Sequence, residues 1–270
     1  MTDSFRQTIL GHTGLNVGRL GLAASYGAPA EAFEEAFEKG CNYFYIGSGL
    51  HKSGMKKAIQ NLVRQGHRDK LVIAVQTYAR FGVMTELLYK QTLKNLGIEY
   101  ADILILGWHN KMPFGMLEKF ARKMKTSGFA RFIGISGHNR PLFAKLADKG
   151  FYDVYHVRYN PAHRGAESEC FPQLAKAGSP GIVSYTATRW GQLLDSKNMP
   201  KGETALNASD CYRFVMTNKR VDVCMCGPKN TLEMQGALEA LRLGPLEHER
   251  MEKVIRIGDF VHENTGGIFA

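Results

Sequence analysis

The chain has 270 residues, 44% of them hydrophobic and 22% charged, which suits a soluble globular protein folded as one domain over 1–270. No run of 18 apolar residues occurs and MTDSFRQTIL lacks a basic-then-apolar leader, so neither a membrane partner nor a secretory signal is expected, and the compartment read from this is cytoplasmic. Five cysteines, an odd count with no Cys-x-x-Cys, fit reduced thiols, and a formal charge of +10 dispersed along the chain argues against a nucleic-acid partner.

The chain opens with ILGHTGLNVGRLGL, two extended pieces around His12-Thr13-Gly14 that predict a hairpin. Short apolar strands are predicted at 20–22, 43–46, 71–75, 103–106, 132–135, 154–157, 182–185 and 221–225. Amphipathic stretches lie between them. In AEAFEEAFEKG, Ala32, Phe33, Ala36 and Phe37 form one stripe, with Pro29 near its start and Gly40 at its end. TELLYKQTLKNLG has Thr85 as its expected cap and Gly97 as its stop. GMLEKFARKMKTSG follows, then RPLFAKLADKG with Asn139 as cap and Gly150 as stop. Cys224 and Cys226 alternate along the last strand, so both thiols point to one buried side. The long loop 195–209 is placed to cover one end of the molecule. PLEHERMEKVIRIGDFVHE predicts an additional helix, and NTGGIFA a loose tail.

Near-continuous apolar strands, each followed by a helix, predict a parallel sheet covered on both faces. Eight such units predict an α/β fold closed as a (β/α)₈ TIM barrel, with an N-terminal β-hairpin and an extra C-terminal helix. LGLAASYG, around the first strand, lacks Gly-x-Gly-x-x-Gly, which disfavours the open dinucleotide fold.

Functional groups in such a barrel sit at the carboxyl ends of the strands. Those ends carry Tyr45 with Ser48 and His51 beyond it, then Gln76, Thr77 and Tyr78, then Trp108 and His109. Later ends carry Ser136 and His138, His156 and Arg158 with His163 and Arg164 beyond, Tyr185, Thr186, Arg189 and Trp190, and finally Lys229 and Asn230. Arginine, histidine and aromatic side chains converging on one mouth predict a small-molecule site. Trp108, His138, Arg158, His163, Arg164 and Trp190 are its expected substrate contacts, and arginine forks suit an anionic ligand. No His-x-His or His-Glu-x-x-His spacing occurs, so no metal is expected.

Seven segments in order resemble the aldo-keto reductase superfamily: GHTGLNVGRLGL, EKGCNYFYIGSGL, LGIEYADILIL, GFARFIGISGHN, HVRYNPAHRGAE, SYTATRWGQLL and CGPKNTLEMQGAL. The resemblance implies a TIM barrel and hydride transfer between a nicotinamide, usually NADP, and a carbonyl. It also implies an aspartate, a tyrosine, a lysine and a histidine at the site. Here those places hold Tyr45, Leu50, Gln76 and Gly107. Reduction of a carbonyl needs an acid beside the developing oxyanion, and Leu50 supplies none. A rebuilt site would draw its proton from Tyr45 or His109 and polarise the carbonyl with Gln76. On the cofactor side the resemblance implies Ser136 and His156 beside the nicotinamide amide, and Tyr185 stacking on the ring. Thr186 and Arg189 follow that aromatic, and Lys229 and Asn230 lie towards the adenosine phosphate. Gly236 and Ala237 replace the family's adenine-holding residues.

Three functions therefore stay open. One is a divergent nicotinamide-dependent oxidoreductase acting on a small carbonyl or alcohol. Another is a non-redox lyase, isomerase or hydrolase on an anionic substrate. The third is a ligand-binding barrel without turnover.

Overall fold

The computed structural model describes residues 3–47, 49–80 and 82–265; Ser48 and most of the expected tail, 266–270, lie outside them. An antiparallel hairpin, β1 (Gln7–Ile9) with β2 (Asn16–Gly18), comes first. Eight parallel strands follow: β3 (Leu20–Ala23), β4 (Tyr43–Ile46), β5 (Val72–Thr77), β6 (Ala101–Leu106), β7 (Ala130–Gly137), β8 (Val154–Arg158), β9 (Gly181–Tyr185) and β10 (Val223–Cys226). They close into a barrel in sequence order, with β10 pairing back onto β3. The helices are α1 (Ala30–Glu38), α2 (Ser53–Arg64), α3 (Gly82–Leu96), α4 (Gly115–Thr126), α5 (Arg140–Ala147), α6 (Ala166–Glu169), α7 (Phe171–Lys176), α8 (Ala208–Thr217), α9 (Thr231–Leu243) and α10 (His248–Asn264). The molecule is a (β/α)₈ TIM barrel with an N-terminal hairpin.

Two cores result from the period-two alternation of the strands. Val72, Ala74, Ile103, Ile105, Val183 and Val223 point inward and meet Leu10, Leu15 and Val17 of the hairpin, which plugs the amino end of the barrel. Ile73, Val75, Leu104, Leu106, Cys224 and Cys226 point outward against the helices. Each fully buried aliphatic side chain contributes about 1.5–3 kcal/mol. The two thiols share the outer layer, as their alternation requires. Below the outer core, Asp102 is buried and holds Arg68 at 3.1 Å, Arg131 at 2.9 Å and the Ile73 amide at 2.9 Å.

Local punctuation agrees with the sequence at most ends. Asn139 caps α5, its Oδ1 accepting the Leu142 amide at 3.1 Å. Thr85 does not cap α3: that helix begins at Gly82, and Thr85 is fully buried within it. Several strands run past their apolar runs, because ladder bonds continue under polar residues. Gln76 and Thr77 belong to β5, and Ser136 and Gly137 to β7. In the loop 195–209, Glu203 pairs with Arg256 at 2.6 Å and Lys253 at 3.0 Å, which docks that part on α10, while Leu194 before it and Ala208 near its end reach the strand-end cavity. No helix among the described residues is long and apolar enough to cross a membrane.

Candidate active site

The carboxyl ends of the strands surround a cavity of about 1130 Å³, larger than most single-ligand pockets. It reaches from Tyr45, Gln76 and His156 over the barrel axis to Lys229, Glu233 and Gly236 at the first turns of α9. Its floor is a buried pair. Tyr43 and His156 face each other across the barrel interior at 2.8 Å. Burial pulls His156 down to about 3, so its ring is neutral in this pair.

Above that floor, two side chains depend on neighbouring glycines for room. A Cβ on Gly107 would stand 2.6 Å from Gln76 Nε2 and 2.7 Å from its Cγ, so the bare backbone at the end of β6 is what makes room for Gln76. A Cβ on Gly47 would stand 2.5 Å from the Tyr45 hydroxyl, so Tyr45 likewise depends on the glycine after β4. Gln76 is fixed by the Ser136 hydroxyl, which donates to Oε1 at 3.0 Å while accepting the Trp108 amide at 3.1 Å. Tyr45 is hydrogen-bonded to Tyr78. Burial first, then the charge and hydrogen bond of Tyr78, hold Tyr45 well above the ordinary tyrosine range.

The far wall is aromatic. Tyr185 donates to the Gly137 carbonyl at 2.6 Å and lies 3.1 Å from His138 Nδ1, so its ring is held against the cavity from one side. Burial, with Arg158 next, keeps His138 below the ordinary imidazole range. Trp108, Thr186 and Trp190 line the cavity with φ of 58°, 59° and 53°, left-handed backbone that costs on the order of 1–3 kcal/mol each. Arg189, at φ 50°, precedes Trp190. Such strain gathers where a loop must aim side chains at a ligand. At the α9 end, Asn230 caps the helix by accepting the Glu233 amide at 2.9 Å, and Glu233 accepts the Lys229 amide at 2.8 Å.

Ten of the sixteen residues expected at the site line this cavity: Tyr45, Gln76, Trp108, Ser136, His138, His156, Tyr185, Thr186, Trp190 and Lys229. Six are spent elsewhere. His109 is buried behind Arg80, whose Nη1 lies 3.3 Å from its Nε2; burial and that charge pull it down to about 4. Arg189 donates to the Val261 and Thr265 carbonyls at 2.6 and 2.9 Å, fastening the end of α10. Arg164 bonds Pro161 O at 2.8 Å and pairs with Asp259 at 2.7 Å. His163 is buried edge-on to His262, and burial with the surrounding arginines pulls it down to about 3. Arg158 is buried at the end of β8 and is not a lining residue, and Asn230 serves as the α9 cap. Among the described residues, no group of three His, Cys, Asp or Glu is arranged to hold a metal.

Residues outside that set also enter the cavity, notably Tyr26, Tyr78, Arg80 and Glu233. Tyr78 and Arg80 lie in the short segment just past the end of β5, and that position after a strand end is the signal by which the sequence alone points to them. Leu50, by contrast, is 95% exposed and far from lining anything.

The closed barrel with a hairpin plug and a strand-end cavity is the fold of the aldo-keto reductases. Two solved structures of aldo-keto reductase AKR11C1 from Bacillus halodurans, the holo and apo forms, superpose with TM-scores of 0.76 and 0.75 at 17% identity. They cover 93% of this chain and 96% and 95% of theirs. L-galactose dehydrogenase from Arabidopsis thaliana is 27% identical over 216 residues. That match takes in 69% of this chain and 66% of the dehydrogenase, just under two-thirds of its length. No family model matches the sequence.

Proposed function

We propose that this chain is a divergent nicotinamide-dependent oxidoreductase acting on a small carbonyl or alcohol, with a proton donor unlike the one its fold relatives imply. The observation that carries it is the shape of the cavity. It is one continuous space with a fixed aromatic ring, Tyr185, near the strand ends and Lys229 at the amino end of α9 on the other side.

Those features fit a dinucleotide. The Tyr185 ring offers a stacking face, and Lys229 and the amino end of α9 offer positive potential for phosphates. A Cβ on Gly236 would meet nothing within 4 Å, so that turn of α9 leaves open space beside the cavity. Glu233 adds a carboxylate at the same place, which favours a ribose hydroxyl over a second phosphate there. When bound, the dinucleotide would supply or accept a hydride. Ser136 holds Gln76 in place, Tyr185 fixes the wall, and Trp108 and Trp190 add half-exposed aromatic faces to the lining. The similarity to a sugar dehydrogenase supports a small polar carbonyl or alcohol as the partner, and the cytoplasmic compartment belongs to the same proposal.

The non-redox enzyme called on His109, His138 or His163 as base and on Arg158, Arg164 or Arg189 as anion holders; of these, His138 alone lines the cavity, which supports that reading less than the oxidoreductase one. The test is an equilibrium titration with NADPH and NADH, following quenching of Trp108 and Trp190. Saturable quenching by either below millimolar concentration is expected; none by either removes the oxidoreductase reading.

A further inference from the structure

We infer that the strand-end half of the cavity takes a substrate carrying a carboxylate, an oxo acid or the matching hydroxy acid, and that Arg80 is the residue that selects it. The inference rests on the oxidoreductase reading and names its substrate class.

Arg80 lies just past the end of β5 and lines the cavity. Part of its guanidinium is spent on the backbone after β6. Nη1 donates to the Gly107 carbonyl at 2.9 Å and lies 3.3 Å from His109 Nε2, and Nη2 donates to the Trp108 carbonyl at 3.0 Å. A guanidinium has five N–H groups and accepts nothing, so the His109 nitrogen is the acceptor in that contact. Nε–H and one Nη2–H are left over, and among the described residues nothing accepts from them. These two lie along one edge of the group, the pair of parallel donors that matches the two oxygens of a carboxylate.

Charge points the same way. The groups that hold Arg80 are two carbonyls and a histidine pulled down to about 4 by burial and by Arg80 itself, so none of them neutralises the guanidinium. The lining holds two more charged residues, Lys229 and Glu233, and both stand at the start of α9, the other end of the cavity. The half built from Tyr45, Gln76, Ser136, His156 and Tyr185 therefore faces one full charge, and it is positive. In a partly enclosed space that charge acts on an anion more strongly than it would in bulk water. The sequence pointed to Arg158, Arg164 or Arg189 for an anion; none of those lines the cavity, and Arg80 does.

Placement links the anion to the reacting end. Arg80 and Gln76 meet at one residue: Gly107 carries the carbonyl that Arg80 holds, and a Cβ on Gly107 would stand 2.6 Å from Gln76 Nε2. Gln76 Oε1 accepts from the Ser136 hydroxyl, which leaves the amide NH₂ as the donor beside Arg80. A short oxo acid with its carboxylate on Arg80 brings its carbonyl within reach of that amide.

The test compares succinate with succinamide, which have the same carbon chain and differ in charge, by calorimetric titration of the full chain at physiological salt and without dinucleotide. Succinate should bind at least about tenfold more tightly, and Arg80→Gln should remove that preference by weakening succinate while leaving succinamide within about twofold. No preference in the parent chain, or binding of neither at high millimolar concentration, overturns the inference. So does an equal loss of both ligands in Arg80→Gln, which would assign Arg80 to holding the loop after β6, and so does a preference that survives in Arg80→Gln and disappears in Lys229→Gln. Turnover of 4-oxobutanoate with NADH and NADPH separates the two readings. A succinate preference lost in Arg80→Gln, with no turnover by either dinucleotide, overturns the oxidoreductase reading and leaves the carboxylate site standing.

Discussion

Gly107→Ala is the substitution that most directly probes how Gln76 is held at the end of β5. The added Cβ would stand 2.6, 2.7 and 2.8 Å from Nε2, Cγ and Cδ of Gln76, inside contact distance for all three. The obstacle is a flexible side chain, so Gln76 must swing away and release the Ser136 hydroxyl at 3.0 Å. Losing that bond costs about 1 kcal/mol and an off-rotamer glutamine about another 1 kcal/mol, so about 2 kcal/mol in all. Gln76→Ala loses the same bond without a clash, at about 1 kcal/mol. In the double variant the new methyl has no glutamine to meet, so the cost should stay near 1 kcal/mol instead of summing to about 3 kcal/mol. Urea unfolding of the four proteins measures this cycle. Additivity within about 0.5 kcal/mol would refute the idea that the glycine exists to seat Gln76.

Three further outcomes are expected. Asp102→Asn strips the buried partner from Arg68 and Arg131 and should cost about 3 kcal/mol in the same unfolding assay; a loss under about 0.5 kcal/mol would mean the pair is dispensable. All five cysteines are buried, and burial pushes the Cys41 and Cys170 thiols up to about 12, so the native protein should resist a thiol reagent such as DTNB that titrates five thiols after denaturation. His156 falls to about 3 on folding, so between pH 6.5 and about 3 the unfolded chain holds one more proton there and stability falls with pH by about 1.4 kcal/mol per unit. Asp222, raised to about 6 chiefly by burial, acts with the opposite sign below that pH. His156→Gln should therefore flatten the acid limb by one proton; an unchanged slope would contradict a neutral buried histidine.

Much of the barrel was legible because its strands are buried on both faces. Runs such as DILIL and VIAV announce themselves by composition, and β4 was read to its ends. What escaped were features set by tertiary context. Thr85 looks like a cap but is covered by packing, and the polar loop after β9 lies on α10 because Glu203 finds two cations there. The mouth was legible as a collection and not as an arrangement. Arg189 and Trp190 are neighbours, yet one fastens α10 and the other lines the cavity, a difference made by left-handed backbone that no local sequence rule specifies. His109 carries the right chemistry at the right strand end but sits behind Arg80. At NYFYIGSGL the sequence shows Tyr45 and Leu50 where the resemblance implies other residues, and only the coordinates show Gly47 making room for Tyr45.

Native mass spectrometry of the full chain with NADH and with NADPH tests the central claim most directly. A one-to-one complex with at least one of them is predicted, weakened at least tenfold in Tyr185→Ala, which removes the ring face from the cavity wall. No complex with either dinucleotide, or one that Tyr185→Ala leaves untouched, would contradict a nicotinamide site in this cavity.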